Sequence, residues 1–157
     1  MLETLHIKNF ALIDDLTLNF TKGLNILSGE TGAGKSILIG AISLILGARG
    51  DSSVVRTGNK ETIVTAVLHI PEDPELINWL EEHGIEYDNR VIIIKRIVRI
   101  NGRGSIFIQS EQMTLKDLQY ISHFLFDIHG QHEHQSILYE ESQRKLVDSY
   151  GKLNNQV

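Results

Sequence analysis

Residues 29–36, Gly-Glu-Thr-Gly-Ala-Gly-Lys-Ser, match G-x-x-x-x-G-K-[ST], the phosphate-binding P-loop. The motif constrains the fold because its loop must connect a strand to a helix. Residues 24–27 read as a short buried strand, and the apolar residues after Ser36 recur at helical spacing. Such a turn aims backbone N–H groups and a helix N-terminus at one anion. The pattern therefore predicts a site for the phosphates of a nucleoside triphosphate, and these flanks argue against a chance match in a surface loop.

Each conserved type of residue in the motif has a separate chemical task. Gly32 and Gly34 let the backbone approach phosphate oxygens closely. Lys35 is expected to reach the β- and γ-phosphates, and the Ser36 hydroxyl to ligate Mg²⁺. The residues expected to bind the nucleotide here are Gly29, Glu30, Thr31, Gly32, Ala33, Gly34, Lys35, Ser36 and Ile37.

Composition excludes several classes of protein. A chain of 157 residues is one domain of ordinary size, and without cysteine it has neither disulfides nor thiolate metal sites. No apolar run is long enough to cross a bilayer and no signal-peptide pattern is present, so we expect a cytoplasmic protein without a membrane partner. The net charge of −5 gives no support of its own for nucleic-acid binding.

The first half of the chain predicts strands around the P-loop helix. Residues 1–20 alternate apolar and polar side chains in two stretches, which is typical of two half-buried strands. The P-loop helix is expected to end near Gly47, a natural left-handed position. A loop over 48–60 and a strand over 64–70 follow.

The second half predicts two helices and a hairpin. Asp73-Pro74 is a helix start, and that helix should stop at Gly84. Asn101-Gly102 predicts a β-hairpin turn between strands over 90–100 and 105–109. Residues 114–117 resemble a capping box that opens a helix to about residue 123, and the apolar run 124–128 predicts a central strand.

The triphosphate site is incomplete as a site of hydrolysis. Hydrolysis requires a second metal-binding carboxylate and a group that orients water. Asp127, after an apolar run, is the only candidate carboxylate, but no acid follows it, and the start of a loop after a core strand is the simpler interpretation. The sequence therefore supplies half of a catalytic site.

This half resembles the ATP-binding-cassette heads of the SMC-like genome-maintenance ATPases. The likeness rests on residues 7–10 (Ile-Lys-Asn-Phe), the P-loop 29–36, the Asn101-Gly102 turn, and Gln131 where a glutamine loop is expected. Within that group, residues 127–135, followed by Leu-Val-Asp-Ser-Tyr at 146–150, resemble the RecN family of bacterial double-strand-break repair proteins. The resemblance covers essentially the whole chain.

The resemblance implies an α/β fold of the P-loop NTPase class, the N-terminal lobe of an ABC-type ATPase head with a mixed sheet and an antiparallel β-hairpin. Residues 1–138 would form this lobe, and 139–157 would start a helix toward a coiled coil. The chain is then expected to be a fragment whose own C-terminal lobe supplies the signature motif and metal carboxylate.

The same resemblance implies specific roles and partners. ATP and Mg²⁺ are the expected cofactors, with Ser36 and Gln131 at the metal, Lys35 and Gln131 in catalysis, and Lys8 and Asn9 beside the nucleotide. Phe10 would be a further contact. The alternative for this segment is that Phe10 is a core residue and Lys8 is solvated. Heads would self-associate around ATP and the whole protein would act on DNA in the nucleoid.

Other interpretations stay open. The chain could be the head of another SMC-like or RecF-like ATPase, a small P-loop kinase, or a nucleotide-regulated binding module without turnover. A kinase would require its own metal carboxylate and an arginine-bearing lid, and neither is apparent.

Several basic and imidazole side chains also have two interpretations. Arg49 and Arg56 either meet a phosphate or a dimer interface, or are solvated. The hairpin strip of Lys95, Arg96, Arg99 and Arg103 either lies along a DNA backbone or protects a solvated edge, with Arg96 on the opposite strand face from Lys95 and Arg99. His129, His132 and His134 either share a metal ion or form a hydrogen-bonded loop, and the loop is favoured because no cysteine is available.

Overall fold

A six-stranded sheet, paired antiparallel at all five interfaces, organises the part of the chain that the structure describes. The structure is a computed structural model and describes residues 1–28 and 33–126. The strand order across the sheet is β2-β1-β3-β4-β5-β6. The strands are β1 (Leu2–Phe10), β2 (Ile13–Asn19), β3 (Glu61–His69), β4 (Val91–Arg99), β5 (Gly104–Ile108) and β6 (Glu111–Met113).

The sheet has one buried face because its central strands alternate in hydrophobicity. Every second residue of β3, from Thr62 to Leu68, is buried, while the residues between them are half-exposed. The register places Val64 opposite Ile7 of β1, so apolar side chains of neighbouring strands meet on the same face. A single cluster of buried side chains on this face forms the core.

Three helices contribute apolar side chains to that core. They are α1 (Ala33–Ile45), α2 (Pro74–Glu82) and α3 (Leu115–Leu125), and a 3₁₀ turn spans Ser52–Val54. Leu44 of α1, Leu76 of α2 and Ile121 of α3 all belong to the buried cluster. Within residues 1–28 and 33–126, none of the helices has the length and apolar character needed to span a bilayer.

The helix starts predicted from sequence are confirmed. The Asp73 carboxylate accepts hydrogen bonds from the backbone N–H groups of Glu75 (2.9 Å) and Leu76 (3.2 Å). Thr114 and Asp117 form a reciprocal capping box, with 2.8 Å from the Thr114 backbone nitrogen to the Asp117 carboxylate. These local contacts fix the entry points of α2 and α3.

The end of α1 is also as predicted, with Gly47 at φ +90°. The N–H of Gly47 donates to Leu44 O (3.2 Å) and that of Ala48 to Ser43 O (2.9 Å), which is the hydrogen-bond pattern of a Schellman motif. The loop that follows therefore leaves α1 in a defined direction.

The predicted buried strand at 24–27 is wrong. Residues 24–28 have no regular secondary structure, and Leu24 and Ile26 are 85% and 78% exposed. A strand requires a neighbour, and no strand in the described part of the chain pairs with this segment. Its backbone instead turns locally, since the Asn25 amide donates to Thr21 O (2.8 Å) and accepts from Thr21 N (3.1 Å).

The predicted strand at 124–128 is also wrong where it can be compared. Phe124 and Leu125 are the last residues of α3, and only Phe126 is extended. Their apolar side chains pack against the core at helical spacing after Leu118 and Ile121, so the run continues the helix. All pairs of neighbouring strands in the described sheet are antiparallel, whereas a mixed sheet also contains parallel pairs. The short strand β6 was not predicted from the sequence.

Gly47 provides a test of the helix end. An added Cβ there would lie 2.5 Å from Gln119 Cγ, whereas at Gly58, which has nearly the same φ of +88°, it would meet nothing within 4 Å. We expect Gly47→Ala to destabilise the protein by more than Gly58→Ala, whose cost is the backbone strain of about 1 kcal/mol. Urea unfolding measures both, and equal losses would show that crowding at Gln119 is unimportant.

Asp117 provides a test of pH dependence. Hydrogen bonding from the Thr114 side chain, the largest cause, lowers the pKa of Asp117. A carboxyl whose folded pKa lies below its unfolded value stabilises the fold fully above the ordinary Asp pKa of about 3.9, and this contribution is lost as pH falls through the lowered value. Asp117→Asn should therefore reduce the free energy of unfolding at neutral pH, by at most about 1 kcal/mol at this partly exposed site.

The loss caused by Asp117→Asn should shrink toward zero in strong acid, as measured by urea unfolding at a series of pH values. Glu86→Gln is the matched control, because that carboxylate is exposed and has no hydrogen bond within the described residues. A loss that is independent of pH would contradict the capping explanation.

Candidate nucleotide site

The described half of the P-loop forms the first turn of α1. The helix begins at Ala33, so Gly34, Lys35 and Ser36 lie at its N-terminus, while residues 29–32 lie outside the described residues. Lys35 is half-buried and Ser36 is exposed. Helix and motif therefore have the order that a P-loop requires.

This helix start fits a magnesium–triphosphate ligand. The first turn of α1 contains no acidic residue that would repel phosphate. A Cβ on Gly34 would meet nothing within 4 Å, so the backbone is open to a ligand on that side. The first backbone N–H groups of a helix have no intrahelical acceptor, and the helix dipole favours negative charge there. The Lys35 ammonium can donate hydrogen bonds to phosphate oxygens, and the Ser36 hydroxyl can ligate a hard cation such as Mg²⁺.

The end of β1 passes close to α1. Phe10 is only 3% exposed, and its ring lies 3.5 Å from where a Cβ of Gly40 would stand. Phe10 is therefore a core residue, which decides between its two interpretations. Lys8 is exposed and Asn9 has φ +54°, so the polar residues of this segment remain available while Phe10 anchors it.

Arg56 is bound to the turn between β1 and β2. Its backbone N–H donates to Asn9 O (2.9 Å), its Nη1 donates to Leu12 O, and its Nε lies 3.8 Å from Asp14 Oδ1. A fourth contact, from Ala11 N to Val54 O (2.7 Å), joins the same two segments. In the described structure Arg56 thus orders the turn that follows Lys8 and Asn9 of β1, and it is not a freely solvated loop charge.

The basic hairpin is divided between the two faces of the sheet. Lys95 is exposed, whereas Arg96 is 7% exposed and points to the core face, as predicted from the alternation. Arg99 pairs with Glu61 (3.1 Å), which offsets its charge. Lys95, Arg99 and Arg103 therefore form at most a weak strip, and Arg96 is not part of it.

Two side-chain hydrogen bonds that hold the C-terminal end of α1 were not predicted from the sequence. Arg96 Nη2 donates to Ala48 O (3.1 Å), and Gln119 Nε2 donates to Gly47 O (2.9 Å). The signal for Arg96 was present, since a charge at an inward position of a strand requires an acceptor. Gln119 gave no signal, because its partner is 72 residues away.

The remaining site candidates lie outside the described residues. They are the P-loop residues Gly29, Glu30, Thr31 and Gly32, the candidate carboxylate Asp127, the glutamine-loop residue Gln131, and the histidines His129, His132 and His134. Joint metal binding by Ser36 and Gln131 stays a prediction, as do the proposed domain limits at 138 and 139.

The fold and the start of α1 define a P-loop ATPase head. A family model described as an AAA domain matches residues 4–156, so the chain belongs to this family. A structure on ATP-driven dimerization and DNA-stimulated activation of SMC ATPases matches with a TM-score of 0.63 and 21% identity, covering 95% of this chain and 98% of that one. The predicted fold of an SMC-like head is thereby confirmed.

The resemblance to RecN is confirmed as well. The DNA repair protein RecN of Halalkalibacterium halodurans is 43% identical over 96% of this chain, and that of Treponema pallidum is 38% identical over all of it. The chain spans 27% and 28% of the lengths of these two relatives. Similarity is thus continuous across the chain and limited to part of each relative.

Arg56 provides a test of the site's scaffold. Arg56→Gln should loosen the β1–β2 turn because it removes the donor to Leu12 O, and the exchange of the Ala11 amide with solvent should speed up. Hydrogen exchange measures this, with Arg49→Gln, at the other end of the same loop, as the matched control. Unchanged exchange at Ala11 in Arg56→Gln would show that the backbone contacts alone order the turn.

Proposed function

We propose that this chain is the ATP-binding lobe of a RecN-like ATPase head that acts in recombinational repair of DNA double-strand breaks. The observation that carries the proposal is the start of α1 within the P-loop sequence, with Lys35 and Ser36 in its first turn. The choice of DNA repair is supported by the RecN relatives, both of which are named DNA repair proteins.

Each described residue has a defined task in this proposal. Lys35 binds the β- and γ-phosphates and the backbone of the first turn holds phosphate oxygens, while Ser36 ligates Mg²⁺, the cofactor that neutralises the triphosphate. Lys8 and Asn9 contact the nucleotide. Their position is supported by the hydrogen bond that the Arg56 backbone N–H donates to the Asn9 carbonyl. Gln131 completes the metal site and positions water.

Turnover requires a second lobe with the signature motif and the metal carboxylate. In the proposed cycle, ATP draws two heads together and hydrolysis separates them, and the whole protein acts on DNA in the bacterial cytoplasm. The related SMC structure is described in terms of ATP-driven dimerization and DNA-stimulated activation, which supports this cycle for that class. The 157-residue chain alone is expected to bind ATP without hydrolysing it.

Two alternatives remain. A head of another SMC-like or RecF-like ATPase would share every feature of the nucleotide site and differ in its partners. A small P-loop kinase would hydrolyse or transfer phosphate without a second lobe. The RecN relatives, at 37–43% identity, favour the first proposal over both.

Lys35→Ala provides the test of the site. Removal of the ammonium that binds the β- and γ-phosphates should lower ATP affinity by at least about tenfold, because hydrogen bonds to charged groups contribute about 1.5–3 kcal/mol. Calorimetric titration of the 157-residue chain with Mg–ATP measures the change. Lys60→Ala, an exposed lysine on the loop before β3, is the matched control and should bind as the wild type does.

Equal ATP affinity in Lys35→Ala and Lys60→Ala would refute the site assignment. Turnover distinguishes the alternatives: the chain should hydrolyse ATP only when the remaining portion of a RecN-like protein is added. Robust turnover by the chain alone would mean that Asp127 or another acid completes the site, which is the kinase interpretation.

A further inference from the structure

A second concave site lies at the other end of α1. It is a cavity of about 440 Å³, lined by the loop after α1, the β4–β5 hairpin and the start of α3. Arg49 and Arg96 contribute to its wall, and we call it the Arg49–Arg96 cavity. Because α1 has 13 residues, this cavity is separated from the P-loop by roughly 18 Å of helix.

Arg96 is a nearly buried charge with too few partners. Its residue is 7% exposed, its Nη2 donates to Ala48 O (3.1 Å), and its Nε is buried without an acceptor. No carboxylate pairs with it among residues 1–28 and 33–126. A guanidinium has five N–H donors, and within the described residues Ala48 O is the one acceptor that Arg96 contacts. Burial, which desolvates the guanidinium, also lowers the pKa of Arg96.

Arg49 adds a second positive charge to the same wall. Its side chain is exposed and forms no hydrogen bond or ion pair within the described part of the chain. The cavity lining contains no acidic residue. Nearby carboxylates are engaged elsewhere: Asp51 accepts from Ser53 N (2.7 Å), and Asp117 from Thr114. The cavity lining therefore carries two positive charges and no negative charge.

Two polar residues, Ser105 and Gln112, also line the cavity. The Ser105 side chain lies on the opposite sheet face from Arg96, where its Oγ accepts a hydrogen bond from Arg99 (3.1 Å). Thr114 and Leu115, at the start of α3, also line the cavity. The Thr114 N–H there already donates to the Asp117 carboxylate (2.8 Å), so this helix start is capped from within the protein.

Apolar side chains line the cavity next to Arg96, since Ile106 lies directly across from Arg96 in the β4–β5 register. The apolar lining residues are Val98, Ile106, Met113 and Leu115. The volume is within the range of small-molecule sites and exceeds what one phosphate fills. A strand of DNA resting on the surface would reach Arg49 but not the nearly buried Arg96, so a small ligand fits better than a nucleic-acid backbone.

We propose that the Arg49–Arg96 cavity binds a small organic phosphate. The two guanidinium groups hold the phosphate, and the apolar side chains hold the organic part. The site is separate from the nucleotide site and does not depend on the function proposed above.

NMR titration of the 157-residue chain with inorganic phosphate and with phenyl phosphate tests this proposal. Binding should shift the Arg96 Nε–H signal and the amide signals of Gly50 and Gly104, which line the cavity. Phenyl phosphate should bind more tightly than inorganic phosphate because it also contacts the apolar side chains. The P-loop is a competing phosphate site, so the titration is repeated in Lys35→Ala, where the shifts at Gly50 and Gly104 should persist.

Arg49→Gln is the informative variant because the exposed Arg49 side chain forms no hydrogen bond or ion pair within the described residues. It should weaken phenyl phosphate binding by about tenfold, the effect expected for one charge-assisted contact. Arg103→Gln is the matched control: it removes the same charge from an exposed arginine of the hairpin that does not line the cavity, and binding should stay within about twofold.

Three results would overturn the proposal. One is the absence of phosphate-induced shifts at Arg96, Gly50 and Gly104. Another is loss of those shifts in Lys35→Ala, which would assign them to the P-loop. The third is Arg49-dependent binding of a short DNA duplex, followed by fluorescence polarisation, without binding of phenyl phosphate, which would assign the cavity to nucleic acid.

Discussion

The described structure depends on how the C-terminal end of α1 is held. Two side chains from distant parts of the chain, Arg96 of β4 and Gln119 of α3, donate to the carbonyls of Ala48 and Gly47. These contacts fix the helix against the sheet and α3 at one end, so its other end, with Lys35 and Ser36, has a defined position. A phosphate site built on a helix N-terminus requires such support, because the precision of a site follows from the rigidity of the element that carries it.

Local signals in the sequence predicted the fold where the determining contacts are themselves local. The cap at Asp73, the capping box at Thr114 and the left-handed Gly47 each depend on residues within a few positions, and all three are confirmed. The Asn101-Gly102 turn likewise specified its hairpin. For these elements sequence and structure agree because propensity, capping and hydrophobic pattern act together.

Prediction failed where distant partners decide. Residues 24–27 have the composition of a strand, but strand formation depends on a neighbouring strand that the segment itself cannot specify. Phe124 and Leu125 are as apolar as a central strand, and only packing after Leu118 and Ile121 shows that they continue α3. A short apolar run does not distinguish strand from helix by itself.

The candidate site, like the fold, was predictable where its contacts are local in sequence and not where they join distant residues. The P-loop motif and the helix that follows were recognised from sequence, because the motif encodes its own geometry. The tie between Arg56 and the Leu12 carbonyl spans 44 residues and was not predictable, nor was the core position of Phe10 beside Gly40. The site therefore consists of a locally encoded phosphate cradle on a scaffold that only the tertiary structure specifies.

Magnitudes bear on the structural and the ligand-binding roles of Arg96. A helix C-terminus stabilises a nearby cation by about 0.3–1 kcal/mol, and about 2 kcal/mol at most. One hydrogen bond to a charged group adds about 1.5–3 kcal/mol. Against these gains stand the desolvation of a buried ion, still several kcal/mol in proteins, and an N–H without an acceptor.

The gains and costs of Arg96 therefore nearly cancel, and the Schellman motif with Gln119 already closes the helix end. An apolar side chain at this position would bury the same surface without the penalty. Arg49 and Arg96 line a cavity without carboxylates, and Arg49 forms no ion pair within the described residues, so an anion in the cavity would gain charge-assisted hydrogen bonds from both. Arg96 therefore anchors the end of α1 through one donor and has further donor capacity that the proposed ligand would use.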